Sequence, residues 1–135
     1  MFNFATLVAV AVAALSVSAT PAAEIERRQA IGQPITGGSA TYYFQNGVRG
    51  ACGGTNPDNA AVVAEQAIRY GTGADCHRKV RVTNTQNGKT VDAVVADRCE
   101  GCQGNPNSLD LSVYAFTQIA DEAQGIVPIT WEFLS

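Results

Sequence analysis

The chain has 135 residues, of which 12 are acidic and 9 are basic, so its formal net charge at neutral pH is −3. This mild acidity provides no electrostatic attraction for DNA, RNA or anionic membranes, and we therefore predict no nucleic-acid and no membrane partner. The length suits one domain, able to bury about two-thirds of the surface of the unfolded chain.

The N-terminus has the pattern of a secretory signal peptide. An apolar run over residues 4–17 (FATLVAVAVAALSV) is too short to cross a bilayer stably, and the small residues Val17 and Ala19 fit a signal-peptidase site. We therefore predict a signal peptide over residues 1–19 and a secreted, extracellular protein.

The next segment, residues 20–34, is predicted to be a propeptide or a flexible N-terminal segment, which leaves one domain over residues 35–135. Within this segment, Arg27-Arg28 has two interpretations: a dibasic processing site, or a solvated charge pair in a disordered N-terminus. Four cysteines in a small secreted chain predict two disulfides, with three alternative pairings.

Runs of apolar and β-prone residues predict five strands. In chain order, the predicted strands are 39–44 (SATYYF), 60–64 (AAVVA), 79–84 (KVRVTN), 89–97 (KTVDAVVAD) and 127–133 (VPITWEF). Between the third and fourth, Asn87-Gly88 predicts a hairpin turn, because these residue types accept positive φ. In the last strand, Trp131 alternates in register with Ile129 and Phe133, and we expect it to fill the core.

One helix is predicted late in the chain, over residues 112–121 (SVYAFTQIAD), with Ser112 as its N-cap. The residues that share its apolar face are Val113, Phe116, Ile119 and Ala120. Many short strands with a single helix suggest a small closed β-barrel, and periodicity alone leaves a β-sandwich as the alternative.

The Cys99-x-x-Cys102 motif has three interpretations: a redox pair, half of a zinc site, or a structural disulfide. Glycine and proline follow the motif where a redox pair would need a helix, and no second clustered pair offers the remaining zinc ligands. His77 is the only histidine, so no His-based metal triad exists, and we expect it at the surface beside a disulfide. We predict a structural disulfide, no metal site and no cofactor.

Asp97 and Asp110 lie on either side of this cysteine loop. Asp97 ends an apolar strand, where a carboxylate is costly unless it is hydrogen-bonded or faces solvent. Asp110 precedes the predicted helix, where a carboxylate favours the positive helix end. One interpretation is therefore two capping carboxylates. The other is a pair that faces one groove, as in glycoside hydrolysis, where one carboxyl group is the acid and the other the base or nucleophile.

Several motifs occur in a familiar order. They are ATYYF with GACG, then VVA, a lone cysteine before a hairpin, VADRCEGC, SLDLSVYAF and the closing VPITWEF. Together they resemble the expansin-like double-psi β-barrel family, and in particular its single-domain microbial members, the fungal loosenins and the bacterial RlpA-like proteins. The resemblance covers about residues 36–134 and implies a mainly β, six-stranded double-psi β-barrel with one short helix, stapled by disulfides.

The resemblance also implies a site. The family's DLS-type aspartate falls on Asp110, the aspartate that ends the strand before the cysteine loop falls on Asp97, and the early threonine falls on Thr41. These residues are implied to line a shallow polysaccharide groove, with Asp110 and Asp97 in the catalytic positions. We add Tyr43 as a substrate-binding residue, because aromatic rings serve as sugar-stacking platforms and strand alternation turns it away from its neighbour Tyr42.

Family spacing further implies that Cys52 pairs with Cys76 and Cys99 with Cys102. The chain departs from the plant expansins, whose HFD-like motif is Ser108-Leu109-Asp110 here. It also departs from the related endoglucanases, which carry a second aspartate, the catalytic base, shortly after the first-strand motif. The corresponding stretch, ATYYFQNGVRG, contains no carboxylate.

The predicted function is therefore a secreted, monomeric, non-enzymatic protein that binds cell-wall polysaccharide (cellulose, chitin or another glucan) and loosens it without hydrolysis. One alternative is a secreted protein-binding module, either a cysteine-protease inhibitor or a barwin-like defence protein. The other is a lytic glycosidase, since transglycosylation avoids the water step that needs a base.

Overall fold

Six strands build the part of the molecule that the structure describes. The computed structural model describes residues 30–100 and 104–135, so the predicted signal peptide at 1–19 and Arg27-Arg28 lie outside the described residues. The strands are β1 (Ile35–Tyr43), β2 (Val62–Gln66), β3 (Lys79–Asn84), β4 (Thr90–Cys99), β5 (Leu109–Ser112) and β6 (Val127–Phe133). The helices are α1 (Ala67–Tyr70), α2 (Val113–Ile119) and a 3₁₀ turn at Glu122–Gln124.

The strands close into a barrel in the order β1-β5-β2-β4-β3-β6, and β6 pairs again with β1. The β1–β5 and β2–β4 pairs are parallel, whereas the other four are antiparallel. Closure removes free sheet edges and confirms the predicted six-stranded barrel over the sandwich alternative. Within the described ranges, no helix is long and apolar enough to span a bilayer.

The core fills the barrel interior and confirms the alternation predicted for the last strand. Along β6, Val127, Ile129, Trp131 and Phe133 are all buried, while the residues between them are more exposed. The Trp131 ring packs edge-on against the Phe133 ring, with 5.2 Å between centroids. These two side chains occupy the interior together with Leu109 and the apolar residues of the neighbouring strands.

Helix α2 covers one side of the barrel, and its start confirms the predicted cap. The Ser112 hydroxyl accepts a hydrogen bond from the Ala115 amide at 3.3 Å. Phe116 and Ile119 are fully buried, as their spacing predicts. Asp110, by contrast, lies inside β5 and does not cap the helix, so the capping interpretation of this carboxylate was wrong.

The bounds of three predicted strands shift in the structure. β1 begins at Ile35 rather than residue 39 and ends before Phe44, and β4 extends to Cys99. β2 runs over Val62–Gln66 instead of 60–64. The hairpin at residues 85–88 is confirmed, although only Gly88 of the Asn-Gly pair has positive φ. Strand β5 was not predicted, because four residues between a loop and a helix give too little alternation to identify a strand.

A disulfide joins Cys52 and Cys76, with an S–S distance of 2.06 Å, as the family resemblance implied. It ties the loop after β1 to the segment that enters β3. Cys99 also belongs to a disulfide. Its implied partner, Cys102, lies outside the described residues. His77 is exposed beside Cys76, as predicted, and has a positive φ of 72°.

Candidate functional site

Four residues form one row across four neighbouring strands, and we call this set the groove row. Thr41 of β1 lies opposite Asp110 of β5, Asp110 opposite Ala64 of β2, and Ala64 opposite Asp97 of β4. Paired residues point to the same face of a sheet, so the three polar side chains emerge together. Ala64 is small and buried, and it forms the floor between the two carboxylates. With strands roughly 4.8 Å apart, the row is about 14 Å long.

Asp97 reaches this face because β4 contains one extra residue. Val63 pairs with Val95, but the next pair joins Ala64 to Asp97, which leaves Ala96 without an opposite residue. Such an insertion is a β-bulge, and bulges change the direction in which a side chain points. Val95 is fully buried in the core. Without the bulge, alternation would turn the carboxylate two residues later into the core as well.

The Asp97 carboxylate is anchored by the loop after β1. Its Oδ1 atom accepts hydrogen bonds from the Ala51 amide at 2.7 Å and from the Arg98 amide at 2.8 Å. No described residue donates a hydrogen bond to the Oδ2 atom. One oxygen therefore fixes the orientation of the side chain, while the other remains available to a ligand.

Gly50 lets this loop approach β4 closely. A Cβ atom at Gly50 would lie 2.5 Å from the Ala96 carbonyl oxygen, well inside van der Waals contact. The same carbonyl accepts a hydrogen bond from the Cys52 amide at 3.2 Å, and the Cys52–Cys76 disulfide holds the loop from its other side. The GACG motif is therefore the part of the sequence that positions Asp97.

Asp110 is held by its neighbour across the sheet. The Thr41 hydroxyl donates a hydrogen bond to Asp110 Oδ1 at 3.0 Å. The Cys99 sulfur lies 3.7 Å from Asp110 Oδ2, and this is a contact rather than a hydrogen bond because a disulfide sulfur carries no proton. Burial raises the pKa of Asp110, the Thr41 hydrogen bond lowers it, and the charge of Asp97 raises it, so that the net shift is upward. Asp110 thus keeps a proton to higher pH than an ordinary aspartate.

Tyr43 faces both carboxylates from β1. Burial raises the pKa of its phenol above the ordinary value, and the charges of Asp97 and Asp110 add to this rise. The phenol therefore remains a hydrogen-bond donor at every physiological pH. Tyr42 points the other way and packs against Phe116, with 4.9 Å between ring centroids, as alternation predicts.

The structure thus brings together the four predicted residues Thr41, Tyr43, Asp97 and Asp110. Sequence reasoning missed Ala64, which separates the two carboxylates. Only the pairing of β2 between β4 and β5 places it there, and the sequence carries no local signal for that pairing.

A second carboxyl cluster lies on the opposite face of β2. Glu65 is fully buried, and neither of its oxygens makes a hydrogen bond of good geometry with a described residue, although Asp75 lies beside it. Burial, followed by the charge of Asp75, raises the pKa of Glu65 to about 8, and the charges of Arg69 and Arg78 offset part of this rise. Asp75 forms an ion pair with Arg78 at 2.7 Å. Since Glu65 has no access to solvent, this cluster is not part of the groove.

Comparisons with known proteins agree with this fold. A family model described as "Lytic transglycolase", a double-psi β-barrel, matches residues 35–131. Over 111 residues the chain is 36% identical to the papain inhibitor of Streptomyces mobaraensis. This match covers 77% of this chain and 74% of the relative. A solved structure of a Streptomyces papain inhibitor has a TM-score of 0.67 and 33% identity, covering 80% of this chain and all of the inhibitor.

The chain is similar to an expansin as well. A variant of Clavibacter michiganensis expansin, solved in complex with cellohexaose, has a TM-score of 0.66 and 31% identity, covering 76% of this chain and 51% of the expansin. Among curated relatives from rice, Aspergillus fumigatus and Dictyostelium discoideum, the chain spans only 37% to 51% of the length. The shared region in these relatives is therefore the barrel.

Proposed function

We propose, for a chain that belongs to the RlpA-like double-psi β-barrel family, that the protein is secreted, binds cell-wall polysaccharide along the groove row and loosens it without hydrolysis. The observation that carries this proposal is the groove row itself. Asp110 and Asp97 emerge on one face of four neighbouring strands, with Thr41 and Tyr43 beside them. The expansin that binds cellohexaose supports the same ligand class.

The polar groups of the groove suit a neutral glycan. Sugar hydroxyls both donate and accept hydrogen bonds, and the groove offers partners of both kinds: the open Oδ2 of Asp97 accepts, while the Tyr43 phenol donates. Asp110 presents its carboxyl group to the same ligand, with one oxygen held by the Thr41 hydroxyl. Hydrogen bonds between these carboxylates and the sugar hydroxyls are charge-assisted, and they compete with the hydrogen bonds that hold glycan chains to one another.

Hydrolysis would require more than an acid. An inverting glycosidase needs a second carboxylate that activates a water molecule. In this groove the second carboxylate is Asp97, and two backbone amides already bind its Oδ1 atom. This anchoring supports a role in binding and in holding the loop, which leaves Asp110 to act on the glycan alone.

The test is depletion of the protein from solution by washed insoluble cellulose, chitin and peptidoglycan. We expect Asp110→Asn to lose binding to the preferred polymer by about tenfold or more, since hydrogen bonds that involve charged groups contribute about 1.5–3 kcal/mol. Asp92→Asn is the matched control, because it removes a carboxylate from the exposed end of β4, where Asp92 pairs with Arg81. Equal binding by wild type and Asp110→Asn would contradict the proposal, and release of soluble sugar by wild type would indicate a lytic enzyme instead.

Inhibition of a cysteine protease is a second candidate function. The papain inhibitor relative has nearly the same extent as this barrel, whereas the expansin is about twice as long. In that case loops rather than the groove would contact the target. Papain inhibition that persists in the double variant Asp97→Asn, Asp110→Asn would support this candidate, and loss of inhibition in that variant would exclude a loop-only mechanism.

A further inference from the structure

An open hollow continues the groove beyond Asp97, and we call it the Phe44 hollow. Its volume is about 170 Å³. One water needs roughly 10–15 Å³ on this measure, so the hollow accommodates on the order of ten non-hydrogen atoms, the size of one sugar ring. Its lining residues are Tyr43, Phe44, Gln45, Val48, Asn56 and Asp97, together with Gly50 and Ala96.

One wall of the Phe44 hollow is apolar and open to solvent. Phe44 is 54% exposed and Val48 is 68% exposed, although both are large apolar side chains. The Phe44 ring meets the Tyr42 ring edge-on, with 6.1 Å between centroids, and Tyr42 in turn packs against Phe116 of the core. The Phe44 ring is therefore supported from behind while one face remains accessible.

Two other residues that line the hollow carry polar groups without a described partner. Asp97 Oδ2 accepts no hydrogen bond from the described residues, and the Asn56 side chain makes none with them either. By contrast, the neighbouring Gln45 amide donates to the Pro57 carbonyl at 2.9 Å and is already occupied. The hollow thus offers one free acceptor from Asp97 and a free donor and acceptor from Asn56.

We propose that the Phe44 hollow is a binding subsite for one neutral sugar ring of a β-linked glycan, beyond the rings that lie along the groove row from Thr41 to Asp97. This inference rests on the proposed function. A pyranose has an apolar face that stacks on an aromatic ring and a rim of hydroxyl groups. Among the lining residues, Phe44 supplies the aromatic ring, and Asn56 with Asp97 supplies the polar partners. The subsite is continuous with the groove row, because Asp97 belongs to both.

The glycan has an open path past this subsite. Asn56 and Ala96 also border a second hollow, of about 280 Å³, that extends to His77 and the Cys52–Cys76 disulfide. A long chain is therefore not blocked after the Phe44 hollow. A ligand that occupies only the Asp110 position gains nothing from Phe44, whereas a longer oligomer does. The subsite should consequently appear as dependence of affinity on chain length.

The test compares trimers and hexamers of β-1,4-linked glucose and of β-1,4-linked N-acetylglucosamine, with affinity measured by calorimetry. Wild type should bind the hexamer of the preferred sugar more tightly than the trimer. Phe44→Ala should weaken hexamer binding by about two- to tenfold, the range expected for one aromatic contact, and leave trimer binding unchanged. Tyr114→Ala is the matched control, since Tyr114 is a 42% exposed aromatic residue on helix α2 outside the hollow.

A second variant tests occupancy directly. Val48→Lys places a charged chain at the mouth of the hollow and should reduce hexamer binding as Phe44→Ala does. If Asp110→Asn weakens both oligomers while Phe44→Ala and Val48→Lys change neither, the subsite is absent and the proposed function stands. If wild type binds no oligomer and no insoluble polymer, the proposed function falls, and the subsite falls with it.

Discussion

Two pairs of neighbouring carboxyl groups lie on opposite faces of β2. Asp97 and Asp110 flank Ala64 on the groove face, whereas Glu65 and Asp75 meet on the interior side. The larger rise in pKa belongs to Glu65, which is fully buried, and the smaller one to Asp110, which is partly open. Perturbed titration alone therefore does not identify a binding site in this molecule; access to a ligand distinguishes the two pairs.

Arg69, which lies next to the interior pair, holds the loop that leads to β5. Arg69, on helix α1 beside Glu65, donates hydrogen bonds to the Pro106 carbonyl at 2.6 Å and to Asn107 Oδ1 at 2.8 Å. The Arg69 guanidinium also lies 5.1 Å from the centroid of the Trp131 ring. Because β5 begins directly after this loop, these contacts of Arg69 contribute to the placement of Asp110.

The largest effect expected from this comparison is on stability as a function of pH. The pKa of Glu65 is about 8 in the folded protein and 4.5 as its ordinary value. The folded state holds the Glu65 proton more tightly than the unfolded state does. The contribution of this group to stability is therefore fully present below pH 4.5 and is lost as the pH rises through 8. The loss is on the order of 4 kcal/mol. Glu65→Gln cannot ionise, so it should be more stable than wild type at pH 9 and nearly equal to it at pH 4.

Urea unfolding across this pH range measures the difference between the two proteins. Glu122→Gln is the control, because it removes one exposed carboxylate from the 3₁₀ turn and should retain the wild-type profile. Parallel pH profiles for wild type and Glu65→Gln would mean that Glu65 is not the group that titrates. In that case Glu65 would titrate like a surface carboxylate in spite of its burial.

A smaller effect is expected from the groove side, at Gly50. Gly50→Ala forces a Cβ atom against the Ala96 carbonyl, so the loop must move away from β4. We expect a loss of about 2 kcal/mol in stability, typical of overpacking, and weaker polysaccharide binding because the Ala51 amide no longer orients Asp97. Gly54→Ala is the control, since a Cβ atom there meets nothing within 4 Å. Unchanged binding in Gly50→Ala would show that the loop does not position the carboxylate.

Local sequence patterns predicted the elements whose signals are local. The alternation over residues 127–133 gave the bounds of β6, and Ser112 marked the start of helix α2 because a hydroxyl acceptor is what a helix N-terminus lacks. The closed barrel and the Cys52–Cys76 disulfide followed from the family resemblance. The remaining features of the site depend on how the strands pair in the folded protein.

Three features of the site depend on that pairing. Asp97 faces the groove only because Ala96 forms a bulge opposite β2, and alternation from Val95 alone would have placed it in the core. Glu65 is buried although glutamate is usually exposed, because it alternates with Ala64 along β2 and therefore points to the interior face. The floor at Ala64 exists only once β2 is inserted between β4 and β5.

The smallest expected effect is at Thr41. It tests whether a hydrogen bond distinguishes the titration of Asp110 from that of Glu65. Thr41→Val removes the one described hydrogen bond that lowers the pKa of Asp110, so this pKa should rise further, as measured by carbon-13 NMR of the carboxyl group. The lost hydrogen bond stabilises the ionised form. The destabilisation of the variant, about 1 kcal/mol, should therefore be fully present above the pKa of Asp110 and should shrink as the pH falls below it. Thr130→Val, which loses a hydrogen bond to the Ile35 carbonyl, should be destabilised without moving this pKa. If both variants leave the Asp110 titration unchanged, burial and Asp97 alone set it, and the groove carboxyl is governed by the same physics as Glu65.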